Sequence, residues 1–270
     1  NPIPDVEAIE KAWIEHVEQQ QKRSAREPHP YVYASSRRRC VRKMVLECSQ
    51  PQSMPEFDAD TKARFVRGKQ REDDLGIALQ RVGRLSNPPF EFVGQQERVR
   101  VVDRKGRTVI SGMIDGYIRW ESGEVWPVEI KSLSAFTTDK VSSFTDLFNG
   151  TWTWSNAFQM LSYLFSKNQR YGLFVMDRSG LPKLLKVDLM EHFSDMEEFL
   201  RDAELCVDHV ESGTLPDFIK DPAECKRCWA MGHACNPPLS YGPGAAVFTD
   251  PGVIEKTERL VELETALTAA

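Results

Sequence analysis

Histidine is scarce here, with five in 270 residues. His16, His29, His192 and His209 have no partner at ligand spacing, so they read as surface or satisfied side chains. Metallohydrolases that build their sites from clustered imidazoles are thereby excluded. No apolar run approaches the roughly 20 residues that a membrane-spanning helix needs, and no basic-then-apolar leader opens the sequence. The expectation is a cytoplasmic, reducing setting. Internal repeats and low-complexity tracts are also absent. Net positive charge is lacking: 35 Lys and Arg stand against 40 Asp and Glu, a balance of −5, which argues against a generic nucleic-acid coat.

What is present is apolar content of 41%, aromatics at 10%, enough for one large core or one core with an appended subdomain. The charge is unevenly spread. Residues 37–71 carry ten Lys and Arg against four Asp and Glu, and residues 188–224 carry two against twelve. A basic lobe beside an acidic metal site is what phosphate-backbone binding needs, whereas the acidic stretch reads as a solvated helix face.

The most informative residues are Glu72, Asp115, Glu129 and Lys131. The run Val125-Trp126-Pro127-Val128-Glu129-Ile130-Lys131 reads as a strand, whose alternation sets Glu129 and Lys131 on one side and Ile130 in the core. Burying a carboxylate and an ammonium at a strand end costs several kcal/mol unless they are paired or hold a metal. A preceding strand over residues 108–120 carries Asp115 near its middle, with Gly112 leaving room for a close approach. Two carboxylates, the Ile130 carbonyl and waters suit a hard divalent cation. A helix over residues 58–82 has a face of Phe65, Gly68, Glu72, Leu75, Leu79 and Val82, which turns Glu72 inward. Each acid alone would be an ordinary strand-end or snorkelling charge; the ordered set makes that the weaker reading. On a further helix, residues 154–167, Gln159 and Tyr163 share a face with Asn156. Its opposite face, Trp154, Phe158, Leu161 and Phe165, pins it to the core and leaves the polar face to a substrate.

Of six cysteines, three form the compact set Cys225-x2-Cys228-x6-Cys235. In a Pro-rich, irregular stretch of a chain without a secretory signal, such a set is a metal clamp before it is a disulfide. A fourth thiolate is best supplied by Cys40, in an Arg-rich segment, with Cys48 as the weaker rival because it falls after the presumed helix rather than in that segment. His233 could substitute as a nitrogen ligand. Cys206 shares a helical face with Ala203 and Val210 and reads as core. Four thiolates suit Zn²⁺ as well as an iron-sulfur cubane.

Gly68-x-x-x-Glu72, Gly112-x-x-Asp115, Glu129-Ile130-Lys131 and Gln159-x-x-x-Tyr163 resemble, in order, the motifs of RecB-type PD-(D/E)XK nucleases. Gly-Met-Ile precedes Asp115 where the family name would place Pro. The resemblance implies a restriction-endonuclease-like α/β core with a mixed central sheet flanked by helices. It implies Asp115 and Glu129 as metal ligands, Glu72 in support where many members use His, and Lys131 positioning or activating the attacking water. Gln159 and Tyr163 would contact the strand near the scissile phosphate. One N-terminal Cys followed by a three-Cys cluster is similar to the iron-sulfur subgroup, typified by a CRISPR-associated exonuclease. There Cys40, Cys225, Cys228 and Cys235 would hold a [4Fe-4S] cluster in a subdomain joining the N- and C-terminal segments.

The expected organisation is an N-terminal helical segment, 1–57, with an amphipathic helix from Pro4 to Arg23; a nuclease core, 58–212; a Cys-cluster segment, 213–240; and a tail, 241–270, with a short helix bearing Leu260, Leu263 and Leu267. Strands are expected over 97–102, 108–120 and 125–131. A hairpin over 171–176 and 183–187 turns at Ser179-Gly180, and a long helix spans 189–210. Turns fall at Asn87-Pro88-Pro89, Arg104-Lys105-Gly106 and Glu121-Ser122-Gly123.

The expected function is that of a Mg²⁺- or Mn²⁺-dependent deoxyribonuclease, an exonuclease on single-stranded or frayed DNA ends. CRISPR adaptation, or phage recombination and repair, with a protein partner in such a complex, is the setting the resemblance suggests. The rival reading is a catalytically silent, nucleic-acid-binding platform with a structural metal cluster.

Overall fold

A computed structural model describes residues 6–20, 27–36, 40–150, 153–178, 181–237, 256 and 259–260. Arg37, Arg38 and Arg39 of the basic stretch, the turn at Ser179-Gly180 and the tail leucines Leu263 and Leu267 lie outside them. Two compact units are present, Asn1–Asp217 and Phe218–Ala270.

The first unit is a mixed α/β arrangement. Its helices are α1 (Val6–Gln20), α2 (Val41–Ser49), α3 (Ala59–Gly83), α4 (Ala135–Lys140), α5 (Asp146–Asn149), α6 (Trp154–Ser166) and α7 (Phe193–Ser212), with a 3₁₀ turn at Leu189–His192 leading into α7. The strands are β1 (Val32–Tyr33), β2 (Phe90–Val93), β3 (Glu97–Val102), β4 (Thr108–Ile114), β5 (Gly116–Trp120), β6 (Val125–Lys131), β7 (Tyr171–Met176) and β8 (Lys183–Asp188). They form a three-stranded sheet in the order β1-β4-β3 and a five-stranded sheet in the order β2-β5-β6-β7-β8. The pairs β1·β4 and β6·β7 are parallel and the rest antiparallel.

The apolar pattern explains both faces of the five-stranded sheet. Phe92, Ile118, Val128, Ile130 and Val175 form one core layer with Leu75 and Leu79 of α3. Tyr117, Phe174, Met176, Leu185 and Val187 join the other, larger layer with α6 and α7. In α7 the buried residues Met196, Phe199, Ala203, Cys206 and Val207 recur at helical spacing. The helix ends where Gly213 adopts φ 66° and the Thr214 amide donates to the His209 carbonyl at 3.0 Å.

One continuous strand over residues 108–120 was expected, but the chain breaks at Asp115 and divides the run between the two sheets. Gly116 permits the break, because a Cβ there would lie 2.4 Å from the Phe92 ring. The inward stripe of α3 runs through Gly76, Leu79 and Gly83, while Phe65 and Val82 of the expected face are exposed, at 42% and 51%. Gly83 fixes this rotation: it lies directly against the Phe90 carbonyl. The short strands β1 and β2 carry no alternation long enough to announce them.

Ion pairs stitch the rim of the first unit. Lys167 and Tyr117 bond the Glu97 carboxylate and hold it below its ordinary value of 4.5. Arg170 does the same for Asp188, and Arg107 for Asp208. A depressed folded value means that each contribution is present above the unfolded value and lost as pH falls through the folded one. The thermal midpoint should therefore decline from about pH 4 downward, and Lys167→Ala should flatten that decline. A melting series against pH reads both.

The second unit contains α8 (Pro222–Lys226), capped by Asp221, whose carboxylate accepts the Ala223 and Glu224 amides at 3.0 Å. No helix among the described residues is long and apolar enough to cross a membrane.

Candidate active site

The site lies in the first unit, at the end of β6. Strand pairing sets Gly116 opposite Val128. Continuing that register by one residue places Asp115 opposite Glu129. The Ile130 amide donates to Asp115 Oδ2 at 2.8 Å, which closes the seam where the chain leaves one sheet for the other. Gln96 Nε2 donates to Asp115 Oδ1 at 3.4 Å from the turn before β3.

Glu129 is fully buried, at 0% exposure, and forms an ion pair with Lys131, whose side chain is 20% exposed. Sequence alternation foresaw this shared side. Neither Glu129 oxygen has a hydrogen-bond partner of proper geometry among the described residues. Burial pushes its carboxyl well above the usual carboxylate range; Lys131 draws it back and Asp115 and Glu72 push it further. Burial opposes the charge on Lys131, but Glu129, Asp115 and Glu72 outweigh it and hold the ammonium above its ordinary value.

Glu72 approaches from α3. Gly68, one turn earlier, faces the Ser132 Cβ just beyond β6 with room for a Cβ, which would lie at an ordinary contact distance of 3.9 Å. Burial raises the Glu72 carboxyl, Lys131 lowers it and Asp115 raises it again. The four predicted residues thus share one electrostatic neighbourhood, with three acids around one amine. Lys69, paired with Asp73 at 2.9 Å, adds a second cation that interacts with Glu72 and Asp115. Neither Lys69 nor Gln96 was singled out from sequence, because polar residues on an exposed helix face or in a turn carry no periodic signal.

Among the described residues, no three His, Cys, Asp or Glu side chains are gathered so as to hold a metal ion, neither the Glu72–Asp115–Glu129 set nor the Cys225–Cys228–Cys235 set. What fits a hard cation is narrower: two carboxylates across one strand pair, one of them the buried Glu129 beside Lys131. Asp115, Glu129 and the Ile130 carbonyl remain the candidate ligands.

The polar face of α6 is not left to a substrate as expected. Tyr163 is only 1% exposed, and its hydroxyl donates to the Met113 carbonyl at 2.7 Å while accepting from Gln159 Nε2 at 2.7 Å. Burial next to Glu129 raises the Tyr163 phenol far above its ordinary value. The ring fills the space over Gly112, where a Cβ would lie 2.6 Å from Tyr163 Cε1 and 2.9 Å from the Ala34 Cβ. Tyr163 therefore braces the strand two residues before Asp115. Gly112→Ala should cost about 1–3 kcal/mol through overpacking, measurable as a lowered denaturation midpoint.

The cysteines divide. Cys48 sits inside α2, not after it, and its sulfur lies 4.0 Å from that of Cys206, both buried in the core. Cys206 is a core residue, as its helical face indicated. Cys40 is the N-cap residue of α2 in the first unit. Within the second unit the Cys228 amide donates to the Cys225 carbonyl at 2.9 Å, and Met231 and Cys235 form a β-bridge. His233 lies in the turn between them.

The sequence matches no family model. No curated protein matches it either. Among solved structures the chain is similar to the crystal structure of SSO0001, with TM-score 0.48 and 16% identity over 86% of this chain and 98% of that one. It is similar also to an alkaline exonuclease, LHK-Exo, from Laribacter hongkongensis, with TM-score 0.37 and 12% identity over 75% and 97%. The same enzyme in complex with dAMP gives TM-score 0.38 and 14% identity over 75% and 97%.

Proposed function

We propose that the first unit is a nuclease that hydrolyses phosphodiester bonds in DNA, preferring single-stranded or frayed ends, with a divalent cation held by Asp115, Glu129 and the Ile130 carbonyl. The observation that carries this reading is Glu129: a fully buried carboxylate ion-paired with the ammonium of Lys131, with no other side-chain partner among the described residues and Asp115 facing it across the strand pair. A purely structural role leaves that burial poorly compensated. Mg²⁺ or Mn²⁺, when bound, would polarise a phosphoryl oxygen and lower the pKa of a coordinated water.

The protein's own groups have separable tasks. Lys131, held protonated by three acids, orients the attacking oxygen and offsets negative charge developing on the phosphate. Asp115 fixes the seam through the Ile130 amide, so its position relative to Glu129 is set by the backbone. Tyr163 keeps the end of β4 in place through the Met113 carbonyl. Glu72 adds negative potential favouring a cation over anions.

The test uses 5′- and 3′-labelled oligonucleotides with Mg²⁺, Mn²⁺ or chelator, comparing the parent with Asp115→Asn. Cation-dependent shortening that the variant lacks supports the reading, and the label retained reports polarity. Tight binding without cleavage under every condition would replace it with a silent binding platform.

For the second unit we propose that Cys225, Cys228 and Cys235 bind a thiophilic metal centre, a [4Fe-4S] cluster or Zn²⁺. The Cys-x2-Cys turn and its Cys228-to-Cys225 backbone bond support this. After anaerobic purification, a broad visible absorption with stoichiometric iron is expected, lost in Cys228→Ser. A colourless protein with stoichiometric zinc selects the alternative metal, and no bound metal ends the proposal.

A further inference from the structure

The outer face of the three-stranded sheet joins cations to exposed rings, and no part of the site uses it. In register, Tyr33 of β1 lies beside Ser111 of β4, which lies beside Arg100 of β3; Met113 lies beside Arg98. Partners in register share a face, so Tyr33 and Arg100 flank Ser111, with Arg98 next along the same face. Val99 and Val101 turn the other way into the core. No carboxylate among the described residues pairs with Arg98 or Arg100, whereas neighbouring Arg107 is already held by Asp103, Asp208 and Glu211. Both arginines line a groove of about 380 Å³ with Pro30, Tyr31, Thr108 and Ser111, and with Glu211, whose charge Arg107 offsets.

Beside them stands an aromatic triad. The His29 ring stacks on Tyr31 at 4.8 Å and meets Tyr33 edge-on at 4.6 Å, while Tyr31 and Tyr33 meet at 5.5 Å. Tyr33 is 45% exposed. At the other end of the strip, Gln96 joins the start of β3 to Asp115.

We propose that this face binds single-stranded nucleic acid, with Arg98 and Arg100 on successive phosphates and Tyr33 stacked under a base, and that it feeds the strand toward Asp115. Alternate strand residues are about 7 Å apart, comparable with neighbouring phosphates in an extended strand. Ring faces select unpaired bases, because a duplex hides its base faces in the stack. The direction of feed rests on the nuclease reading; the binding does not.

The test is fluorescence anisotropy of the full chain with a labelled oligothymidylate of about 12 nucleotides, in chelator so that nothing is cleaved. Arg98→Ala/Arg100→Ala should weaken binding at least ten-fold and reduce the slope of log affinity against log salt by about 1.4, at about 0.7 per phosphate on a single strand. Arg98→Lys/Arg100→Lys should restore most of both, which separates lost charge from lost fold. Tyr33→Ala should weaken binding roughly ten-fold, and Tyr33→Phe should not. Unchanged affinity and slope in the double alanine variant overturn the proposal. So does absence of binding by the parent, or equal binding of a blunt duplex or of polyglutamate. Cleavage of a small chromogenic phosphodiester, too short to reach Arg98, reports the catalytic reading separately: its loss in Asp115→Asn, or its absence, leaves the anisotropy result standing on its own.

Discussion

Lys131→Ala should reduce the rate of oligonucleotide cleavage by about 10²- to 10³-fold, the usual cost of removing one group that stabilises developing charge. It should leave the affinity for uncleaved strand nearly unchanged. The same substitution strips Glu129 of its counter-ion at 0% exposure. Breaking a buried pair from one side costs about 3–5 kcal/mol; because the Lys131 side chain is 20% exposed, water screens part of this. We expect roughly 2–3 kcal/mol. Glu129→Gln in the same background should return stability but not activity. That split is diagnostic, because a merely structural pair would show stability recovered with no cleavage to lose. Single-turnover assays below the melting range, together with denaturation curves of the parent and the two variants, read both halves. Full cleavage by Lys131→Ala would remove Lys131 from the mechanism.

Phe199→Ala is expected to lower stability by about 3–5 kcal/mol. Phe199 is fully buried on α7, and its ring centroid lies 5.2 Å from that of Phe158 on α6. It is one of the contacts through which the two helices close over the larger core layer, so truncation leaves a cavity that both backbones resist filling. For a unit of this size the melting midpoint should fall by roughly 6–20 °C. Phe199→Leu, nearer in volume, should cost less than about 1.5 kcal/mol. Calorimetry of both variants checks the ordering, and equal midpoints would mean that α7 is not clamped through this ring.

Much of this was legible in the chain because two periodicities are strong. The alternation in 97–102 and the helical spacing from Met196 to Val210 each reflect one buried face, and the alternation in 125–131 sets Val128 and Ile130 apart from Glu129 and Lys131. These elements stand where the pattern placed them. The convergence of Glu129 and Lys131 followed from the same alternation. What escaped was decided by tertiary contact. The division at Asp115 depends on Phe92 packing against Gly116, which strand propensity alone does not encode. Tyr163 looks like a polar-face residue beside Gln159, yet the vacancy over Gly112 draws its ring inward. Arg98 and Arg100 passed as ordinary solvent-facing positions of an amphipathic strand. Only lateral pairing with β4 and β1 reveals the tyrosine across from them.

The seam at Asp115 has one more consequence. Its Oδ2 fastens one sheet to the other through the Ile130 amide, while the same residue faces Glu129. Architecture and reactivity are therefore wired through a single side chain. A slip of one residue between the sheets would invert the side from which the acid emerges, and the proposed cleavage would be lost while the fold remained.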